Sequence, residues 1–562
     1  MVLYPRTVLA SLLLFAACGG GQRSVSPFDI APDLPVAEVT TDGSQEHRAP
    51  GDAADAAASE VQEIPLDGWM AEALDGSFDL GVETSSDLAG DGISELADVG
   101  CEPVNAAAVD LQRVLAGDGS VTLAALVARP GGGYIIAANT DASTLTWDGQ
   151  GLAGTDCPGP NGCSDALVVW LDELLQVEAT RRLGGEGTER LLALAMDEDG
   201  RVLAAGTTDS PQLVLGAFVL PGAGQQDGFA VAFDPAGEVI WARRSGGSLD
   251  DAWNAIAPDG LGGAVVGGWF ESASLELGGS TLNGQDDNCI LLECGDLMLA
   301  GIGGSGEVLW ARAMGGNQGE RFVSLHAGAG AFNAVGSFGS WGLDLGGDVI
   351  PMQETICGPM FGCSDIFAGS YSATGEHVWS KGFGGDLLDV ALAGAPAPDG
   401  GLLLVGEFSS SSLDLGGGLL VNSGDHESFV ARFNAQGTHQ WSLQADAFLQ
   451  VAASGPGDKT IVMGLQTPYQ TGFADCLSPN VSGVRFLAGS IDGDGVLALH
   501  RAFGMVDGLA RVGGLAVSDA TLAAGVTFQG ELTLPGATSV SASDDAVSLF
   551  LMPASLTVPE SI

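Results

Sequence analysis

The sequence predicts an all-β chain. Its main body reads as a seven-bladed β-propeller of four-stranded antiparallel blades, the ring closed by the N-terminal strand and preceded by a disordered acidic tether. Three observations lead there. Gly is abundant, at 87 of 562 residues, while aromatics make up only 6%. Short apolar runs alternate with Gly, Asp and Pro turns, the pattern of strands and hairpins. A unit of about 58 to 69 residues recurs from about residue 104 onward, and a repeat of that length suits a four-stranded sheet with one decorated loop.

The unit is legible residue by residue. Phe233-Asp-Pro-Ala-Gly-Glu-Val-Ile-Trp241, Gly306-Glu-Val-Leu-Trp310, Gly375-Glu-His-Val-Trp379 and Gly437-Thr-His-Gln-Trp441 each predict a tight turn and then a strand carrying Trp. A Gly-Gly pair follows at 184–185, 246–247, 315–316 and 384–385. Two apolar runs come next, then a Leu-x-Leu-Gly pattern such as Leu275-x-Leu277-Gly278. An acidic residue opens the following strand at Asp165, Asp227, Asp296, Asp365, Glu427 and Asp545, with Arg485 in that place once. Such an acid most often accepts hydrogen bonds from a neighbouring turn, so it reads as structural. A single sheet cannot bury both faces, so the units must stack.

Seven units are counted. The Trp-type positions are Ala179, Trp241, Trp310, Trp379, Trp441 and Leu499, with a degenerate first one near Gln112. The two ends are complementary. Leu111 to Ala116 resembles a Trp-bearing strand with nothing before it, and Asp545 to Met552 the strand that should precede one. Pairing them would close the ring and remove an open edge.

Upstream of the repeat the chain is different material. Met1 to Arg6 and the apolar Thr7 to Phe15 lead to Phe15-Ala16-Ala17-Cys18, which resembles a bacterial lipoprotein signal. The resemblance implies a signal peptide over 1–17, cleavage before Cys18, and lipidation of Cys18. Gly at position 20, rather than Asp, implies sorting to the outer membrane. Residues 18–103 carry about eighteen Asp and Glu against Arg23 and Arg48, without sustained apolar periodicity. Such a segment cannot offset its ordering entropy, and it reads as a disordered spacer. The propeller spans 104–556, and 557–562 is a tail.

The repeat of residues 104–556, typified by Gly375-Glu-His-Val-Trp379-Ser-Lys-Gly-Phe-Gly-Gly385, resembles the bacterial seven-bladed propeller repeat family found in secreted proteins of myxobacteria. That resemblance implies architecture and carries no common chemistry.

Eight cysteines remain besides Cys18, an even number suited to an oxidising compartment. Cys157/Cys163, Cys289/Cys294 and Cys357/Cys363 form local pairs at one loop of three blades, and Cys101 and Cys476 are candidates for a fourth bridge. Their spacings lack the four-ligand pattern of a zinc site.

The catalytic search is negative. Gly-x-Ser-x-Gly, His-Glu-x-x-His and the phosphate-binding Gly-x-x-x-x-Gly-Lys are all absent from the sequence. His377 and His439 sit two residues before a Trp and read as repeat positions. Asp197-Glu-Asp-Gly200 and Asp492-Gly-Asp-Gly495 resemble calcium loops, yet they fall where other units place ordinary hairpin turns. A formal charge of −52 argues against nucleic acid. The expectation is a monomeric, non-catalytic module without catalytic, cofactor or metal residues, attached to a membrane by lipid and binding a protein or glycan. The alternatives are a quinoprotein-like dehydrogenase, or another propeller enzyme, and an outer-membrane assembly scaffold.

Overall fold

The computed structural model describes residues 109–152, 164–285, 295–328, 330–353, 364–424, 426–467, 483–518, 521–535 and 537–553. The chain divides into two units, Met1–Gly100 and Cys101–Ile562. The first lies wholly outside the described residues, as do the signal, Cys18, the linker and the 557–562 tail. Among the described residues every regular element is a β-strand.

The second unit is an all-β propeller. Five separate antiparallel sheets of four strands follow one another along the chain. Sheet I is Val121–Ala128, Tyr134–Thr140, Asp165–Leu171 and Val177–Leu183. Sheet II is Glu189–Met196, Val202–Thr208, Asp227–Phe233 and Val239–Ser245. Sheet III is Asp251–Pro258, Ala264–Phe270, Asp296–Ile302 and Val308–Met314. Sheet IV is Glu320–Ala327, Ala331–Phe338, Asp365–Ser372 and His377–Phe383. Sheet V is Asp389–Pro396, Leu402–Phe408, Glu427–Phe433 and His439–Ala445.

Seven separate four-stranded sheets were expected, and five are found. Two-stranded hairpins, Gln212–Leu215 with Phe218–Pro221, Ser274–Leu277 with Ser280–Asn283, Gly342–Leu343 with Ile350–Pro351 and Ser412–Asp414 with Leu419–Val421, are inserted before the third strands of sheets II to V, and the remaining strands form one nine-stranded sheet, sheet VI. It runs Phe448–Gly455, Lys459–Gln466, Val484–Ile491, Leu497–Val517, Thr521–Thr533, Val540–Pro553, Leu111–Gly117, Leu145–Trp147 and Gln150–Leu152. The reason is local. Between sheets I, II, III, IV and V a Gly-Gly turn breaks the chain, whereas Phe503-Gly-Met-Val-Asp-Gly-Leu509 continues as strand within Leu497–Val517.

The N-terminal strand pairs antiparallel with the last one, Leu111 opposite Leu551 and Leu115 opposite Val547. Its other edge is covered by Leu145–Trp147. First strands touch in sequence, sheet I to II, II to III, III to IV, IV to V and V to Phe448–Gly455; the second half of the long strand then leads back to Val121–Ala128. The core lies in the seams. Each of five hydrophobic clusters joins two neighbouring four-strand repeats, as Trp253 and Phe270 of sheet III do with Leu203, Ala230 and Trp241 of sheet II. The middle strands of sheets II and III are buried along their whole length, which is why they read as continuous apolar runs. Burying one Phe side chain contributes roughly 1.5–3 kcal/mol, so each seam is a substantial source of stability.

Trp provides the outer latch of these seams. A Cβ placed on Gly306, Gly375, Gly437 or Gly495 would lie 2.5 to 2.7 Å from Trp241, Trp310, Trp379 or Trp441 of the preceding sheet. Only Gly lets the turn approach the indole that closely. Trp310 and Trp379 also donate Nε1–H to the carbonyls of Ala373 and Ala435, at 3.1 Å each. In sheet I the Trp position is Ala179, and Trp170, directly opposite on the neighbouring strand, packs against Gly237 and Phe233 instead.

Candidate functional site

Strand direction brings four repeat positions to one end of each sheet: the start of the first strand, the end of the second, the start of the third and the end of the fourth. The loops carrying the cysteines leave from this same end. Its chemistry is dominated by acids, and nine of those described are buried: Asp165, Glu189, Asp227, Asp251, Asp296, Glu320, Asp365, Asp389 and Glu427.

The predicted acids Asp165, Asp227, Asp296, Asp365 and Glu427 open the third strands and are all buried. Asp227 pairs with buried Arg244 at 2.7 Å and accepts the Ala223 N–H at 2.8 Å. Asp165 pairs with Arg182 at 2.5 Å. Asp296 and Asp365 accept the N–H groups of Gln285 and Gln353 at 2.5 and 2.7 Å, and Glu427 that of Ser423 at 2.8 Å. The first Gly of each Gly-Gly pair faces one of these carboxylates. A Cβ on Gly184, Gly246, Gly315 or Gly384 would stand within 2.3 Å of the Asp oxygen. Asp545 differs. The slot opposite Phe528 is held by Ala546, and Asp545, one residue earlier, is only half-buried. Likewise the first Trp slot falls on Leu111, opposite Leu551, rather than on Gln112.

A second set of acids was not anticipated. Glu189, Asp251, Glu320 and Asp389 start the first strands and are fully buried. Each accepts a hydroxyl proton from a serine or threonine at the end of the second strand or just past it. Ser272 donates to Asp251 at 2.9 Å, Ser410 to Asp389 at 2.7 Å, Thr208 to Glu189 at 2.6 Å, and Ser340 to Glu320. The second glycine of each pair adds its N–H, as Gly247 does to Asp251 at 2.6 Å. Ser210, Ser272, Ser340 and Ser410 accept in turn an N–H from the loop ahead of the first strand. Burial raises the pKa of Glu189 and Asp251, and pushes Asp389 up to about 6 against opposing hydrogen bonds. The signal was present in the sequence as an acid four residues after the second glycine.

The first strands surround the axis, and each carries a bulge, after the third residue in sheets I to V, after Leu449 in Phe448–Gly455 and after Val512 in Leu497–Val517. Their half-buried positions are mostly Ala, Val and Leu, including Ala124, Leu192, Val323 and Leu392. Polar residues at such positions are Thr122, Asn254, Arg321, Ser324, His326, Gln450 and Ser454. Asn254 donates to the Phe322 carbonyl, and Gln450 accepts the Val512 N–H at 2.7 Å, so both join adjacent first strands. Burial lowers the His326 pKa to about 4. Among the described residues no group of three or more His, Cys, Asp and Glu is placed to hold a metal ion.

His377 and His439 occupy the position of Val239 and Val308, beneath the glycines of the inserted hairpins. Each packs edge-on against an aromatic ring, Tyr371 or Phe433. The two calcium-like turns are built as the Asn434 turn is: Asp197 Oδ1 accepts the Arg201 N–H and Asp492 Oδ1 the Val496 N–H, both at 2.8 Å.

The expected disulfides are not among the bonds the structure describes. Cys157 and Cys163, Cys289 and Cys294, and Cys357 and Cys363 all lie outside the described residues, and so do Cys101 and Cys476. Cys163, Cys294 and Cys363 fall just short of the described third strands, which begin at Asp165, Asp296 and Asp365. The three local bridges and the fourth pairing therefore stand on sequence spacing alone.

No family model matches the chain, and no curated protein matches it. Among solved structures it is similar to the Neurospora crassa Pan2 WD40 domain. That match has 10% identity and a TM-score of 0.37, over 80% of this chain and 98% of the other. It is also similar to the quinohemoprotein alcohol dehydrogenase of Comamonas testosteroni, at 10% identity and a TM-score of 0.33, over 79% and 78%. At these scores neither likeness bears on chemistry.

Proposed function

We propose that the chain is a lipid-anchored protein of the outer membrane whose propeller is a non-catalytic binding or display module for a protein or glycan. One observation carries the reading. The recurrent carboxylates, the most numerous reactive groups in the repeat, are engaged inside the ring with Ser, Arg and backbone N–H groups. That leaves them holding seams together instead of facing a substrate. The mostly aliphatic first strands fit the same reading. Membrane attachment rests on the Ala-Ala-Cys18 signal alone, and the likeness to the myxobacterial repeat family on the Trp, Gly-Gly and Asp positions.

The ring we assign has seven blades. Sheet VI is two of them joined: Leu497–Val517 pairs with Val484–Ile491 along its first part and with Thr521–Thr533 along its second. Seven first-strand segments then circle the axis in turn.

The test uses the full chain in detergent. Isothermal titration against neutral and acidic envelope polysaccharides and peptidoglycan fragments should find one saturable ligand class, with no turnover of it. Dye-linked oxidation of alcohols after loading with a quinone cofactor would contradict the reading. Anchoring is tested separately: Cys18→Ser should move the protein from the detergent phase to the aqueous phase, and unchanged partitioning would contradict it.

A further inference from the structure

We propose that the seam between sheet V and the strand Phe448–Gly455 is a pH-sensitive joint, tight while Glu407 is protonated and loosened when it ionises. This goes beyond the binding role and does not depend on it.

The argument starts from what the other seams do. In two of them, I to II and IV to V, a polar side chain near the end of the second strand clips the backbone of the next first strand. Asn139 accepts the Leu191 N–H at 2.8 Å and donates to its carbonyl at 2.9 Å. Ser337 accepts the Ala391 N–H at 3.0 Å. Glu407 holds that same register place in sheet V, between Val390 and Ser428. Here the work has passed to Ser428, which accepts the Leu449 N–H at 3.0 Å and donates to the Ala447 carbonyl at 2.7 Å. Among the described residues no hydrogen bond offsets the desolvation of the Glu407 carboxyl.

Strand alternation sets its surroundings. Leu403 and Val405 lie on the same face as Glu407, and both belong to the cluster with Val430, Leu449, Ala452 and Leu487. The carboxyl is thus placed in an apolar seam. The seam also lacks the acid and serine clasp of its neighbours, because Ala447 stands where Asp389 and Asp251 stand elsewhere. Other ionisable groups on the packed elements include Asp389, held by Ser410, and Glu427, held by Ser423 and Gln444, both at the same end, and Arg485 opposite Gln466 in sheet VI. His426 lies at the same end, its ring 5.0 Å from Phe448, and Asp446 is in the joining turn. Arg432 is at the opposite end, bound to Asp458 and Asp399. The strand Phe448–Gly455 has no ionisable side chain. Desolvation without an opposing partner pushes Glu407 up to about 7.

The sign follows from linkage. A carboxyl raised in the folded state adds stability below its unfolded value, and that stability is lost as pH rises through about 7. Between the ordinary value of 4.5 and about 7 each pH unit favours the open seam by up to about tenfold, and above about 7, where both states are ionised, the effect levels off.

Hydrogen exchange of the full chain between pH 5.5 and 8, corrected for intrinsic exchange, tests this. Protection of Glu427–Phe433 and Phe448–Gly455 should fall by about tenfold from pH 5.5 to 7 and level off from 7 to 8, well beyond any change at the seam between sheets II and III. Glu407→Gln should abolish the local fall. A uniform loss in the wild type, or a loss confined to another seam, would overturn the proposal without any variant. So would an unchanged local fall in Glu407→Gln.

Discussion

Trp379 of sheet IV and Gly437 of sheet V form the tightest kind of contact in the outer ring: a Cβ on Gly437 would lie 2.6 Å from the indole. The glycine also has φ 73°, a left-handed conformation that side chains resist. Gly437→Ala should therefore destabilise the propeller by about 2–4 kcal/mol, from overpacking and strain together. Chemical denaturation measures it. A loss within about 0.5 kcal/mol would mean that turn and indole do not bear on each other.

The acid clasp makes a sharper prediction, because the protein already contains its apolar version. At the first sheet the clasp positions are Val121 and Ala142, both buried, with Gly117 in the second-glycine place. Asp251→Val alone leaves the Ser272 hydroxyl and the Gly247 N–H without their acceptor, and should cost about 1–3 kcal/mol. Adding Ser272→Ala should recover part of it, since the unpaired hydroxyl is removed while the Gly247 and Leu249 N–H groups stay without their acceptors. Double-mutant denaturation checks this, with a coupling of about 1–2 kcal/mol expected. Additive losses would contradict the pairing.

Asp389 gives a pH prediction distinct from that of Glu407. Burial raises it to about 6 in the folded state from an ordinary 3.8. Its contribution is then present at acidic pH and is lost as pH rises through about 6. The melting temperature should fall between about pH 4 and 6, and the fall should be smaller in Asp389→Asn. An identical profile in the variant would contradict the assignment.

Much of this fold was legible in the sequence because the repeat writes its turns in glycine. The Trp strands, the Gly-Gly pairs and the acids of the third strands appear where spacing put them. The second acid set escaped notice because Glu189 and Asp251 look like any loop carboxylate until Ser210 and Ser272 are brought across from the second strands. Trp170 escaped for a similar reason: it fills the place of Ala179 from the opposite strand, a substitution visible only in the register. The merged sheet was missed because Met505-Val-Asp-Gly508 resembles a turn by composition, yet pairs as strand with Gly530 to Thr533. Function was less legible, since the recurrent residues hold the ring and the cysteine-bearing loops vary.

Closure of the ring by Leu111–Gly117 is the central claim, and a pair of deletions tests it most directly. Removing residues 104–118 takes away the strand between Val540–Pro553 and Leu145–Trp147, leaving two edges unpaired and Leu115 missing from its cluster. Removing residues 22–95 takes away only the acidic linker. The melting temperature should drop by at least about 8 °C for the first deletion, a loss of several kcal/mol in a domain of this size. For the second it should stay within about 1 °C. If the two deletions changed the melting temperature equally little, the strand would not close the ring, and an open array of sheets would replace the propeller.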